Sequence, residues 1–155
     1  MKFWDASAIV PLLVEEKHSR TCRDLSRADP GIVVWQFTFA EVVSALRRNM
    51  RRDPPLSEGQ FDAALRRLNV LTRHWEVVMA TDNTAVADMN ARALALMIKH
   101  PIQSGDALQL AAAMTYFEPV QHAGFVVVDG GLAHAAKAEG FTIYPGRQER
   151  RRRRA

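Results

Sequence analysis

The sequence predicts an α/β fold in which a mainly parallel sheet is covered by helices on both faces. Three observations predict it. Short β-rich runs alternate with helical stretches of ten or more residues, the pattern of βαβ crossovers. A chain of 155 residues is long enough for one domain with a sizeable core. No internal repeat and no second domain is visible along it.

The elements follow in order. Lys2–Asp5 reads as a strand, followed by helical Ala8–Glu15 and His18–Ala28. The run "GIVVWQ" (31–36) is a second strand, set off by Pro30 and Gly31. Helical spacing resumes in "FAEVVSALRRNM" (39–50), where Val42, Val43, Leu46 and Met50 mark an apolar face. After "DPPLSEGQ" breaks the chain, Ser57 starts a helix carrying Phe61, Leu65, Leu68 and Leu71. "EVVMA" is a third short strand. Asp82 to Lys99 is helical, with Val86, Met89, Ala93 and Met97 on one side. "SGDALQLAAAMTYF" (104–117) is another helix, "GFVVVD" (124–129) a fourth strand and "LAHAAKAEG" a short helix with a glycine stop. "FTIY" (141–144) closes the chain's regular structure as a final strand.

Composition bounds the class. A hydrophobic fraction of 48% and a charged fraction of 25% are those of an ordinary soluble globular protein. No apolar run approaches the ~20 residues needed to span a bilayer, and Asp5, Glu15 and Glu16 interrupt any signal-peptide pattern. Cys22 is the one cysteine, so no internal disulfide can form and the expected compartment is the cytoplasm. The net charge of +4 is localised. Residues 146–155 carry six arginines against Glu149, or +5, which leaves −1 for the other 145 residues. This block is expected to be a solvated, disordered tail, with weak attraction to nucleic acid as the sharper alternative.

The carboxylates carry the chemistry. Asp5 ends the first strand and Asp129 the fourth, while Glu41 and Asp106 lie in the first turns of helices. In a parallel sheet, strand ends and following helix starts share the edge where ligands bind. Each residue also has an ordinary use: Asp5 as an N-cap, Glu41 in a Thr38-Phe39-Ala40-Glu41 capping box, Asp106 in the helix dipole after a Ser104 cap, and Asp129 in a turn. Together they repel: two unit charges ~4 Å apart cost about 4 kcal/mol at an effective dielectric near 20. A cation would join them. Oxygen donors suit Mg²⁺ or Mn²⁺, whereas zinc recruits His or Cys. Asp5 and Asp106 are the expected direct ligands, with Glu41 and Asp129 acting largely through water.

At these residues the chain resembles the PIN-domain family. "FWDASAIVPLL" is similar to its opening Asp-x-Ser segment, "FTFAEVVSALRR" to its second motif, "SGDALQLAAA" to its third and "FVVVDGGLAHAAKAEGF" to its fourth. The four occur in the family's order over roughly residues 1–144. The resemblance is strongest to VapC-type toxins, the ribonuclease half of bacterial toxin–antitoxin pairs. It implies a three-layer α/β/α fold over residues 1–145 and Mg²⁺- or Mn²⁺-dependent RNA cleavage. It also implies a homodimer and a small DNA-binding antitoxin as partner. The acidic residues carry over to Asp5, Glu41, Asp106 and Asp129, and the motif's hydroxyl to Ser7. Ala6 stands where many members have Thr, and Val127 where many have Thr or Ser, which is expected to leave Asp129 with less support.

A bound metal would serve phosphodiester hydrolysis by lowering the pKa of water, acting as a Lewis acid and orienting the reactants. No Gly-x-Ser-x-Gly elbow or GxxxxGK[ST] loop points to a serine hydrolase or nucleotide kinase, and Ser7 occupies the place of a haloacid dehalogenase's second Asp. For RNA contact, helical spacing puts Arg48 and Arg52 on the side of Glu41; the ordinary alternative is a solvated helix end with arginines favouring its dipole. Trp4, Trp35 and Phe37 are expected in the core rather than stacked on bases. The competing function is a catalytically silent PIN-fold module that binds RNA or protein.

Overall fold

The computed structural model describes residues 1–146. The arginine-rich stretch 147–155, and with it the expected solvated tail, lies outside the described residues.

Five strands form one sheet: β1 (Lys2–Trp4), β2 (Ile32–Trp35), β3 (Glu76–Val78), β4 (Gly124–Val126) and β5 (Thr142–Tyr144). The order is β3-β2-β1-β4-β5 and every pairing is parallel. Phe3 pairs with Val33 on one side and with Phe125 on the other. β1 is therefore central, and the chain winds outward from it first toward β3 and later toward β5. That reversal makes the β1/β4 seam the topological switch point, where a crevice opens at the carboxyl ends of the strands.

Alternation along the strands divides the core in two. Phe3, Val33, Trp35, Phe125 and Val127 face one layer, while Trp4, Ile32, Val34 and Val126 face the other. The second layer is built from α1 (Ala6–Leu13), α2 (Ser19–Ala28), α3 (Thr38–Asn49) and α4 (Glu58–Leu71). The first is built from α5 (Asn83–Lys99), α6 (Ser104–Tyr116) and α7 (Gly130–Ala138). The expected three layers are present. Both faces of the central strands β1, β2 and β4 are covered, whereas the edge strands β3 and β5 leave Glu76, Val77 and Thr142 exposed.

Local signals account for the helix ends. Ser57 caps α4 in a reciprocal capping box with Gln60. Asp82 caps α5, accepting the N–H of Ala85 at 2.8 Å. Gly140, at φ +101°, ends α7 in a backbone conformation that side chains disfavour.

Several details differ from expectation: α1 runs Ala6–Leu13 rather than Ala8–Glu15, and β4 ends at Val126 rather than at Asp129. The N-cap of α6 is Gln103 rather than Ser104. On α5 the buried stripe is Met89, Ala93 and Leu96, while Val86 and Met97 are exposed. This helix lies at the rim of its layer and packs along α6, so it buries a narrow stripe at i, i+4, i+7 and leaves Leu94 and Ile98 in solvent.

Candidate active site

Asp5 follows β1 directly, and its N–H donates to Val126 O at 3.0 Å, tying it to β4. Its side chain caps α1 by accepting the Ser7 N–H at 2.8 Å. The ordinary use is thus real, yet the same carboxyl is buried and lines the crevice. Burial pushes its pKa up and repulsion from Asp106 adds to this, while the bonds from Ser7 and Ala6 oppose it.

Ser7 faces the opposite way across the seam. Its hydroxyl oxygen accepts the N–H groups of Val128 at 3.0 Å and Asp129 at 3.3 Å. Asp129 is exposed and caps α7, its Oδ1 accepting Leu132 N–H at 2.9 Å. Val127, standing where a hydroxyl is expected to support Asp129, is fully buried in the core, and Ser7 holds the Asp129 backbone N–H.

Glu41 sits in the first turn of α3, but the anticipated Thr38–Glu41 capping box does not form. Phe37 is the N-cap, and the Glu41 carboxylate instead receives a hydrogen bond from the Gln109 side chain of α6. Burial raises the Glu41 carboxyl to about 7; repulsion from Asp5 and Asp106 adds to this and the Gln109 bond opposes it. Asp106, in the first turn of α6, is raised by burial and by the charge of Asp129, against a backbone hydrogen bond with Gln103.

Asp5, Ser7, Glu41, Asp106 and Asp129 line a single cleft of about 510 Å³, completed by Phe37, Ala40, Ser44, Ala45 and Arg48. Carboxylates from four separate chain segments therefore face one volume. Arg48 is at its wall. Arg52 lines an adjoining groove that shares Ser7, Ala45, Arg48 and Asp129 with the cleft. Phe37 departs from the core expectation: it is 53% exposed and borders the cleft, while Trp4 and Trp35 are buried. A residue between β2 and α3 need not follow the strand's burial pattern. Gln109 escaped the sequence reading, and Thr38, expected as a cap, instead accepts the Trp35 N–H and bonds Gln109. The available signal was a lone amide in the otherwise apolar run Leu108–Ala113.

The donor set is all oxygen and strongly self-repelling, the chemistry of a hard cation. Among the described residues, no group of three or more His, Cys, Asp or Glu side chains is gathered tightly enough to hold a metal ion. An ion held here would rely on water for most of its coordination, which suits Mg²⁺.

A family model described as the PIN domain matches residues 2–138. Among solved structures, the chain is similar to one from a toxin–antitoxin complex of Klebsiella pneumoniae, at 15% identity and TM-score 0.59, covering 86% of this chain and 91% of that one. It is similar to a Pyrobaculum aerophilum protein at 16% identity and TM-score 0.58, covering 92% and 87%. It is also similar to the Mycobacterium tuberculosis toxin VapC20, a sarcin–ricin-loop-cleaving toxin, at 18% identity and TM-score 0.63, covering 87% and 95%. At these identities the structural likeness is one of fold. No curated protein matches.

Proposed function

The chain belongs to the PIN-domain family, and from that premise we propose that it is a divalent-metal-dependent endoribonuclease, the toxin of a toxin–antitoxin pair. The observation that carries the proposal is the meeting of Asp5, Glu41, Asp106 and Asp129 at one cleft on the switch point of the sheet. Asp5, Glu41 and Asp106 are each raised in proton affinity by burial and by a neighbouring carboxylate's charge, a poor arrangement for stability alone.

Asp5 and Asp106 would hold Mg²⁺ or Mn²⁺. When bound, the ion supplies a more acidic water, Lewis acidity toward the phosphate and orientation. Glu41 and Asp129 position water by accepting hydrogen bonds from it. Ser7 ties the start of α1 to the segment after β4, with Asp5 and Asp129 lining one cleft on either side of it. Arg48 offers a guanidinium to a phosphate at the wall of the cleft, with Arg52 in the next groove for the neighbouring phosphate. Phe37 presents an exposed ring on which an unpaired base can stack.

The nuclease domain is assigned to residues 1–145, with 146–155 as a basic extension. The partners proposed are RNA, a second copy of the chain, and a small DNA-binding antitoxin; the toxin–antitoxin complex among the similar structures supports the last. The exposed apolar row Leu94, Met97 and Ile98 on α5 is surface open to a protein partner. No helix among the described residues is long and apolar enough to cross a membrane, and the cytoplasm is the proposed site of action.

The test is cleavage of RNA by the purified chain with Mg²⁺ or Mn²⁺ and in excess chelator. Cleavage that stops on chelation and returns on metal addition supports the proposal. Undiminished cleavage in chelator overturns the metal mechanism, and none under any metal condition favours a silent binding module.

A further inference from the structure

Gln109 is 1% exposed in the middle of α6, surrounded by alanine and leucine. A buried primary amide must find partners for its two N–H donors and its oxygen. It finds them in α3. Its Nε2 donates to Glu41 Oε2 and lies 3.1 Å from Thr38 Oγ1, while its Oε1 lies 3.2 Å from the same hydroxyl. Once ionised, above about pH 7, the Glu41 carboxylate only accepts hydrogen bonds, so the NH₂ end of the amide is the end that faces it. Thr38 is itself held by the chain: its Oγ1 accepts the Trp35 N–H at 3.2 Å, at the end of β2. The amide is thus anchored on one side to the β2–α3 junction and directs its donor into the cleft.

The other carboxylate oxygen lies beside the place a Cβ would occupy on a different residue. A Cβ on Gly105 would fall 2.9 Å from Glu41 Oε1, closer than real Cβ atoms come. Gly105 and Gln109 are four apart, one helical turn, and so lie one above the other on α6. One turn of α6 thus gives a donor to one Glu41 oxygen and, at Gly105, the space beside the other, which a Cβ would take by pushing the carboxylate end aside. The sequence neighbour Asp106 projects from the same turn into the same cleft.

We propose that Gly105 and Gln109 are positioning residues that form a seat on α6 for the Glu41 carboxylate, setting its place relative to Asp106. This deepens the nuclease reading and rests on it for its consequence in catalysis, though not for the seat itself. The seat couples α3 to α6 without a covalent link or an ion pair. It lets one helix carry Asp106 and also place the carboxylate of another.

The two residues separate positioning from mere structure. Gln109→Met keeps the volume of the side chain but removes the donor. Gly105→Ala removes a helix-weakening glycine, so a purely structural role predicts equal or greater stability. The seat instead predicts that Gly105→Ala lowers kcat at least ~10-fold with KM and melting temperature held, as for other residues that orient a site's ligands. Gln109→Met is expected to lower kcat similarly, Gln109→His to recover part of it through a ring N–H, and either loss to disappear in a Glu41→Gln background. A readout independent of RNA cleavage is the carboxyl ¹³C titration of Glu41 in the metal-free chain. Removing the Gln109 donor moves its midpoint upward, because a bond to the charged form is lost. An unmoved midpoint in a folded Gln109→Met chain, or full kcat in Gly105→Ala, overturns the seat. If Glu41→Gln cleaves RNA as fast as wild type, the role given to Glu41 fails while the titration still decides the seat.

Discussion

Ser7 and Asp129, 122 residues apart, are joined directly: the Ser7 hydroxyl oxygen accepts the Asp129 N–H at 3.3 Å and the neighbouring Val128 N–H at 3.0 Å. Ser7 is also the residue whose own N–H binds Asp5. One side chain and its backbone thus connect the two strand ends that flank the switch point. Removing the hydroxyl in Ser7→Ala leaves two N–H groups without this acceptor. A cost of about 0.5–1.5 kcal/mol in stability is expected, together with a loss of cleavage, while Ser7→Thr retains both. Denaturant midpoints and initial rates measured on the same preparations check this, and a Ser7→Ala chain equal to wild type in both would contradict it.

Asp5 caps α1 and also faces the cleft, so asparagine separates the two roles. Asn caps as well as Asp but carries no charge. Asp5→Asn and Asp106→Asn are each expected to lose on the order of 100-fold in cleavage, equivalent to about 2.7 kcal/mol of barrier. Metal-free stability is expected to hold or rise as repulsion is relieved. Asp5→Ala, which loses the cap, should fall by about 0.5–2 kcal/mol. Wild-type activity in Asp5→Asn would remove it from the site.

Metal binding is checked without substrate. A ligand that binds only the folded chain raises its melting temperature by mass action. Added Mn²⁺ is expected to raise it for wild type and not for the Asp5→Asn, Asp106→Asn double variant. Equal shifts in both would place the ion elsewhere.

The cleft also determines how metal-free stability depends on pH. The Glu41 carboxyl stands at about 7 in the folded chain against an ordinary 4.5, burial being the main cause. The native state therefore holds an extra proton between these values, and stability falls as pH rises through that window and stays lower above it. Asp5 and Asp106, also raised, act in the same direction. Glu41→Gln should flatten the slope between about pH 4.5 and 7. Urea midpoints across this range measure it, and a slope unchanged by the substitution would show that Glu41 is not its source.

Asp29 acts with the opposite sign, at the other end of β1. Burial works to raise its carboxyl, but hydrogen bonds from Lys2, the terminal ammonium and the Gly31 N–H outweigh that and hold it at about 2. Its contribution is fully present above its ordinary 3.8 and is lost as pH falls toward 2. Asp29→Asn should therefore weaken the chain at neutral pH and make its stability less sensitive to acid below pH 3.8. Identical acid-unfolding curves for the variant and wild type would rule this out.

Much of the architecture was legible from residue patterns. Short β-rich runs alternating with helices of ten or more residues announced a parallel sheet covered on both faces, and Ser57, Asp82 and Gly140 marked helix ends by chemistry that acts within one turn. The placement of Asp5, Glu41, Asp106 and Asp129 at strand ends and first helical turns was equally visible, because strand direction in a βαβ chain puts such positions at one edge of the sheet.

What the sequence by itself determined was local: which segments are strands or helices, and which residues stand at their ends. Only the tertiary structure decided that β1 lies between β2 and β4, because the short apolar strands are nearly interchangeable as pairing partners and their order depends on how whole crossovers pack. The same holds for Gln109. In sequence it is one polar residue on an apolar helix; its function as a donor to Glu41 exists only once α3 and α6 meet, 68 residues apart along the chain. Val127, Phe37 and the exposed face of α5 likewise took their environments from neighbours distant in sequence. Capping and periodicity are governed by hydrogen bonds and spacing within a few residues, whereas burial and buried polar partnerships are governed by packing between elements that the chain brings together last.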